Sequence, residues 1–313
     1  MIHGFLNIDK ERGCTSHHVV AQIRRILHQA EVGHTGTLDP EATGVLVVGL
    51  GQATRFFSFL NENIKVYRAE LIFGLATDTQ DITGKVLTEK TDTDVDEVDL
   101  NRCIAALTGE IAQMPPMYSA VKVQGRKLYE LARQGIEIDR LPRLIQVHQW
   151  RILNPASRYA CRDTVSCEIT CSKGTYIRTL IDDLGKALGC GACMGRLTRL
   201  KSGIFSLENA VTVTGVKELF EQGLLNEILI SPNLALGHLP PLWVGTEDLV
   251  KVRNGGKLSY GKYPVEAETA RVLDRESRVV AIVQRNQTEN HSYWQPVKVF
   301  SMNNETGDDS SKQ

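Results

Sequence analysis

The sequence has no long apolar run. Its longest, Val45 to Leu50, falls far short of the ~20 residues that a membrane-spanning helix requires. The start, Met1-Ile-His-Gly-Phe-Leu-Asn-Ile-Asp-Lys10, lacks the cationic head and apolar centre of a secretion signal. The expectation is a cytoplasmic chain with no membrane contact. Neither charge is in excess: 36 Lys and Arg meet 37 Asp and Glu, a net charge of −1. That sum argues against coating nucleic acid through bulk charge, but it leaves room for segregated faces. Cysteine is sparse and odd in number, seven in 313 residues, which fits reduced thiols better than a disulfide framework.

Several chemical signatures are also missing. None of the eight histidines forms an H-x3-H metal pair, and Gly-x-Ser-x-Gly is absent. Gly49 and Gly51 follow a strand-like run, but the third glycine of a dinucleotide fingerprint is lacking and Glu70 falls inside a strand pattern, so no nucleotide cofactor is expected. Cys167, Cys171, Cys190 and Cys193 have zinc-like spacing. Cys167 and Cys171, however, share one face of an expected buried strand, where a free cysteine packs as a small hydrophobe.

What is present has globular proportions, 42% hydrophobic and 23% charged, in a length that suits two domains. Thr15-Ser16 caps an amphipathic stretch running to about Gln29, and Val45 to Leu50 reads as a buried strand. A helix is expected over Ala53 to Leu60. Strand alternation marks Val66 to Phe73 and Val165 to Ser172; further helical patterns lie at 98–107, 175–188 and 214–229. After Leu239-Pro240-Pro241, short β-like runs suggest a small domain over 238–301, leaving 1–237 as the main domain and 302–313 as a polar, disordered tail. Charge is segregated. Residues 78–99 form an acidic connection expected to be solvated, whereas 122–143 carry six basic residues against three acidic ones, and 173–201 six against two.

The densest candidate site is Gly33-His34-Thr35-Gly36-Thr37-Leu38-Asp39-Pro40-Glu41-Ala42-Thr43-Gly44. Its three glycines permit positive φ and close ligand approach, and Pro40 restrains Asp39. Asp, Pro and Glu in this order also begin ordinary helices. The continuation Thr43-Gly44-Val45-Leu46-Val47-Val48 favours a strand instead, so one carboxylate is presented on a constrained loop.

In this loop the sequence resembles the TruB family of tRNA pseudouridine synthases, whose Gly-His-x-Gly-x-Leu-Asp-Pro-x-Ala-Thr-Gly motif it matches at every fixed position. The resemblance continues through Lys65-Val66-Tyr67-Arg68, Met117 to Lys122, Gly125 to Tyr129 and Cys171 to Leu180, spanning about residues 4–210. One departure is Glu11, where the family has proline after the lysine. The resemblance implies an α+β fold: a catalytic domain with a central, largely antiparallel mixed sheet flanked by helices, and a C-terminal β-rich PUA-like domain.

It also implies a monomeric enzyme without cofactor or metal that isomerises uridine 55 in the T-loop of tRNA, bound through the T-arm. Asp39 would be the essential catalytic carboxylate, with Arg178 fixing it and Tyr67 stacking on the uracil and helping to remove the C5 proton. His34, Lys10, Lys122, Arg126, Lys127, Lys173 and Arg199 would contact the RNA. A non-catalytic tRNA-binding protein and a synthase acting on another RNA are the alternatives.

Overall fold

The computed structural model describes residues 1–300 apart from Ala120, Val121, Gln124, Arg133, Glu137, Glu289 and Asn290, and describes only the backbone of Lys122, Val123, Lys127 and Tyr129. The expected tail at 302–313 and Arg133 therefore lie outside the described residues.

The chain opens with strand β1 (Gly4–Lys10) and helix α1 (Ser16–Ile26), whose first turn is capped by the Thr15 hydroxyl accepting from the His18 amide. Strands β2 (Val32–Thr35) and β3 (Thr43–Leu50) flank the glycine-rich loop, confirming that its end extends into a strand. The segment Gly51–Phe59 is helical as expected but wound as 3₁₀. Next come β4 (Ile64–Phe73), the hairpin β5 (Leu75–Thr77) and β6 (Val86–Glu89), the short β7 (Asp94–Asp96), α2 (Glu97–Ala106) and β8 (Gly109–Gln113).

The basic segment folds as β9 (Lys122–Val123) paired with β10 (Arg126–Lys127), followed by α3 (Leu128–Ala132). Strands β11 (Arg143–Ile152), β12 (Arg158–Ala160) and β13 (Thr164–Ser172) precede α4 (Ile177–Ala187), β14 (Ala192–Ser202) and β15 (Phe205–Ser206). After α5 (Val213–Glu221) and α6 (Pro232–Ala235), the chain enters its last sheet: β16 (Pro241–Trp243), β17 (Leu258–Ser259), β18 (Thr269–Leu273), β19 (Val279–Gln287) and β20 (Ser292–Val299), with α7 (Thr246–Arg253) packed on it.

The main sheet runs β1-β3-β14-β4-β13-β11-β8, with β2 on β3 and β15 on β14. Neighbours on this path are antiparallel except β14 with β3, which pair in parallel where Thr198 meets Thr43 and Arg199 meets Gly44. This is the expected α+β class with a mixed, largely antiparallel sheet. Alternation along β4 and β13 places Ala69, Leu71 and Phe73 with Cys167, Ile169 and Cys171 on one face, where Leu180, Ile181 and Leu184 of α4 cover them. The cysteines are core residues; burial pushes the Cys167 thiol up to about 12 and that of Cys171 up to about 11. Across β1 and β3, α1 and α5 cover one face through Val19, Ile23 and Val216. The opposite face, with Phe5, Val45 and Val47, packs with Phe56 against Leu273, Val279, Ile282 and Phe300 of the C-terminal region, so both sheets share a core. The Phe56 and Phe300 rings stack at 3.6 Å between centroids.

Candidate active site

The glycine-rich loop is held by its surroundings more than by itself. Ser16, at the start of α1, both donates to the Leu38 carbonyl and accepts from the Leu38 amide. The Gly13 amide donates to the Pro40 carbonyl at 2.9 Å. On the other side, Arg199 of β14 donates from Nε to the Val45 carbonyl at 2.7 Å and from Nη2 to the Gly36 carbonyl at 2.8 Å. Gly44 lies so close to this strand that a Cβ would stand 2.3 Å from the Arg199 carbonyl oxygen, at a φ of +93°. Polar groups that a loop would ordinarily turn to water are therefore satisfied from β1, α1 and β14, and Asp39 is left at the tip, 39% exposed.

Facing it is Arg178, in the first turn of α4 and only 6% exposed. Its Nη2 lies 3.5 Å from Asp39 Oδ1 and also donates to the Tyr118 carbonyl, while Nη1 lies 3.9 Å from Asp81 Oδ2. The guanidinium plane is thus oriented from three sides, which makes it a rigid director of the Asp39 carboxylate. Tyr67 on β4 sits below, between Ile169 of β13 and Arg199 of β14 in register. Burial raises its phenol above the ordinary value, while the Arg199 guanidinium, hydrogen-bonded to it, pulls the other way.

Two of the residues expected to contact RNA are internal in this structure. Lys10 is fully buried, its ammonium donating to the carbonyls of Glu11, Cys14 and Pro40, so it braces the loop from beneath. Arg199, 1% exposed, does the same from β14. Both place their donors on backbone carbonyls.

Of the others, Lys173 and Arg126 are exposed, and Arg126 donates to the Gln134 side chain at 2.9 Å. The side chains of Lys122 and Lys127 lie outside the described residues. His34 on β2 meets the exposed His17 edge-on at 5.1 Å between centroids; burial and His17 both lower its pKa. The basic stretch 173–201 is not one face: Lys186 pairs with Asp182 at 2.6 Å, Arg196 lies 3.9 Å from Glu70, and Arg178 and Arg199 are internal.

The acidic connection is also corrected at its start. Asp81 is 15% exposed and lies against Arg178. The Ile82 amide donates to the Met194 carbonyl and the Met194 amide to that of Gln80, which stitches the loop to β14. Gln80 in turn bonds Asp182 and Thr179 of α4. The signal in the sequence was the run Thr77-Asp78-Thr79-Gln80-Asp81-Ile82-Thr83-Gly84, rich in side chains that bond to nearby backbone. Thr79 and Thr83 both donate to Asp81 Oδ1.

Known proteins place this arrangement. The model of the N-terminal domain of TruB family pseudouridylate synthase matches residues 24–177, and that of the tRNA pseudouridylate synthase B C-terminal domain matches residues 178–234. The seam between them falls in the first turn of α4, ahead of a strand inside the main sheet, so it marks no boundary between folding units. The tRNA pseudouridine synthase B of Bacillus pumilus is 40% identical over 98% of this chain and 100% of its own. That of Geotalea uraniireducens is 46% identical over 80% of each chain.

Among solved structures, a Cbf5-Nop10-Gar1 complex aligns at a TM-score of 0.71 and 28% identity, covering 95% of this chain and 84% of that one. An H/ACA RNP bound to a substrate RNA containing 2′-deoxyuridine aligns at 0.71 and 26%, covering 95% and 85%. With the loop, its facing arginine and the mixed sheet in place, the chain belongs to the TruB family of pseudouridylate synthases, enzymes that isomerise uridine in RNA.

Proposed function

We propose that this enzyme acts alone on tRNA, converting uridine 55 of the T-loop to pseudouridine. The observation that carries the proposal is the Asp39 carboxylate, presented on a braced loop 3.5 Å from the buried Arg178 with Tyr67 on the strand beneath. Isomerisation breaks the bond from N1 to C1′, turns the uracil and rejoins it through C5. Electrons and atoms are conserved, so the reaction requires no redox or group-transfer partner. Asp39, directed by Arg178, is the catalytic carboxylate that acts on the nucleoside. Tyr67 is placed to stack on the base and to help remove the C5 proton. A T-loop uridine must leave its stack to reach this cleft, at roughly a few kcal/mol, offset by contacts to the flipped nucleotide.

Arg126 and Lys173 are exposed cations available to the T-arm backbone, joined by Lys122 and Lys127 of the basic hairpin, with His34 beside the cleft. The domain plan is a catalytic unit over 1–237 followed by a PUA-like module over 238–301, and the enzyme works as a cytoplasmic monomer. The likeness to tRNA pseudouridine synthase B proteins at 40–46% identity, against 26–28% for the Cbf5-type structures, supports the stand-alone reading over a guide-directed one. The test is to incubate purified protein with an unmodified tRNA transcript in plain buffer and map pseudouridine. A single product in the T-loop at position 55 is expected; no product there, or product scattered without a fixed site, overturns the reading.

A further inference from the structure

The floor of the cleft holds a cation that this chemistry leaves unused. Lys65 and Tyr67 are two residues apart on β4, so both leave the same face of the sheet. Lys65 pairs in register with Cys171 of β13 and Ser202 of β14, and only 6% of it is exposed. Its ammonium abuts the glycine-rich loop: a Cβ on Gly36, where φ is +63°, would stand 2.4 Å from Lys65 Nζ and 3.4 Å from Arg199 Nη1. The glycine therefore lets the loop backbone settle onto two cations.

Those cations are engaged differently. Arg199 is fully committed to the loop carbonyls and Tyr67. Lys65 makes no hydrogen bond and no ion pair within 4.0 Å among the described residues. The nearby carboxylate, Glu62, accepts from the hydroxyls of Thr35 and Ser202. Besides Glu62, the charged and titratable groups facing the amine are Arg199, Cys171 and Lys173, and burial holds the amine down at about 8.

A largely buried ammonium, 6% of its residue exposed, that has no hydrogen-bonding partner in the protein is costly, and an incoming anion lowers the cost. Uracil and ribose are neutral, so the anions an RNA substrate brings are its phosphodiesters. Extruding a nucleotide draws those on either side of it toward the mouth of the pocket. Lys173, exposed at the end of β13, extends the positive path outward. We propose that Lys65 is a positioning residue that receives a phosphodiester flanking the target nucleotide and so seats the ribose with C1′ against Asp39. This rests on the reading of the cleft as the site of uridine isomerisation.

The test uses a T-arm RNA in which the phosphate 5′ to the target uridine or, in a second RNA, the phosphate 3′ to it is replaced by an uncharged methylphosphonate. Affinity and single-turnover rate are measured for the wild type, Lys65→Met, Lys65→Gln and Lys65→Arg. At one of the two positions the neutral linkage should weaken the wild type about tenfold and the Met and Gln variants less than about twofold, with Lys65→Arg responding like the wild type. Between pH 7 and 9 the wild type should lose affinity while Lys65→Arg holds it. Independent, multiplying effects of linkage and substitution at both positions overturn the proposal and leave Lys65 a structural residue. Failure of the wild type to convert the unmodified RNA instead overturns the assigned reaction, and the affinity measurements still decide for or against the phosphate contact.

Discussion

The glycine-rich loop and the basic segment at 122–143 both gather cations, and they use them in different ways. Around the loop, Lys10, Arg199 and Lys65 are 0%, 1% and 6% exposed, and the first two are satisfied by backbone carbonyls of the loop and its flanks. In the basic segment, Arg126 is exposed on a two-residue strand and donates to the Gln134 side chain, while Arg140 is half-buried and donates to the Pro115 carbonyl at 3.1 Å. The first set shapes the protein; Arg126 of the second is open to solvent, where a polyanion can meet it. Counting positive residues along a sequence does not separate the two uses.

The strongest way to break this comparison is at the carboxylate that the internal cations frame. Asp39→Asn should lower turnover at least about a thousandfold while RNA affinity stays within about threefold, read by single-turnover assay and filter binding. A loss of affinity equal to the loss of rate would mean that the loop, and not its carboxylate, had been damaged.

Next in size is removal of an internal cation. Arg199→Met leaves the carbonyls of Gly36 and Val45 unpaired and should cost about 3 kcal/mol or more of stability, read as a fall in the urea midpoint.

Lys65 should behave in the opposite direction. Its amine is held at about 8 against an ordinary 10.5, so the folded state binds fewer protons than the unfolded state between these values, and stability rises as pH climbs through them. Below pH 8 the wild type carries a penalty of about 3 kcal/mol. Lys65→Met should therefore be more stable than the wild type at pH 7 by up to that amount, with the gap closing by about pH 10.5. A constant gap across that range would show that packing, and not charge, is responsible.

The smallest stability effect belongs to the outward set. Arg126→Met should change stability by less than about 0.5 kcal/mol. It should also reduce the dependence of RNA affinity on log salt by about one unit. A large stability loss there would erase the distinction between the two regions.

Much of this was legible before the structure. Alternation drew β4 and β13, the poor helix after Ala42 drew β3, and the family motif singled out Asp39, Tyr67 and Arg178. The fate of the cations was not legible, because β14 shifts register between Met194 and Leu197 and again between Arg199 and Lys201. Simple alternation cannot be followed through such bulges, and Arg199 read as one more RNA-contacting charge. Asp81 was hidden for a different reason. It lies in an acid-rich run that composition describes as solvated, while its hydroxyl neighbours and the backbone of Met194 fold that run against Arg178. The 3₁₀ winding of Gly51–Phe59 likewise leaves little trace in a periodicity read at 3.6 residues.

The stacking of Phe300 on Phe56, within a cluster that also holds Val45, Val47 and Ile282, bears on how this enzyme can be dissected. Cutting the chain after residue 237 would lay bare the outer face of β3 beside the glycine-rich loop, at about 1.5–3 kcal/mol for each large side chain uncovered. Such a fragment would be prone to aggregate, and its weak RNA binding would report a damaged scaffold rather than a missing contact. The shared core also ties the C-terminal sheet to the outer face of β3.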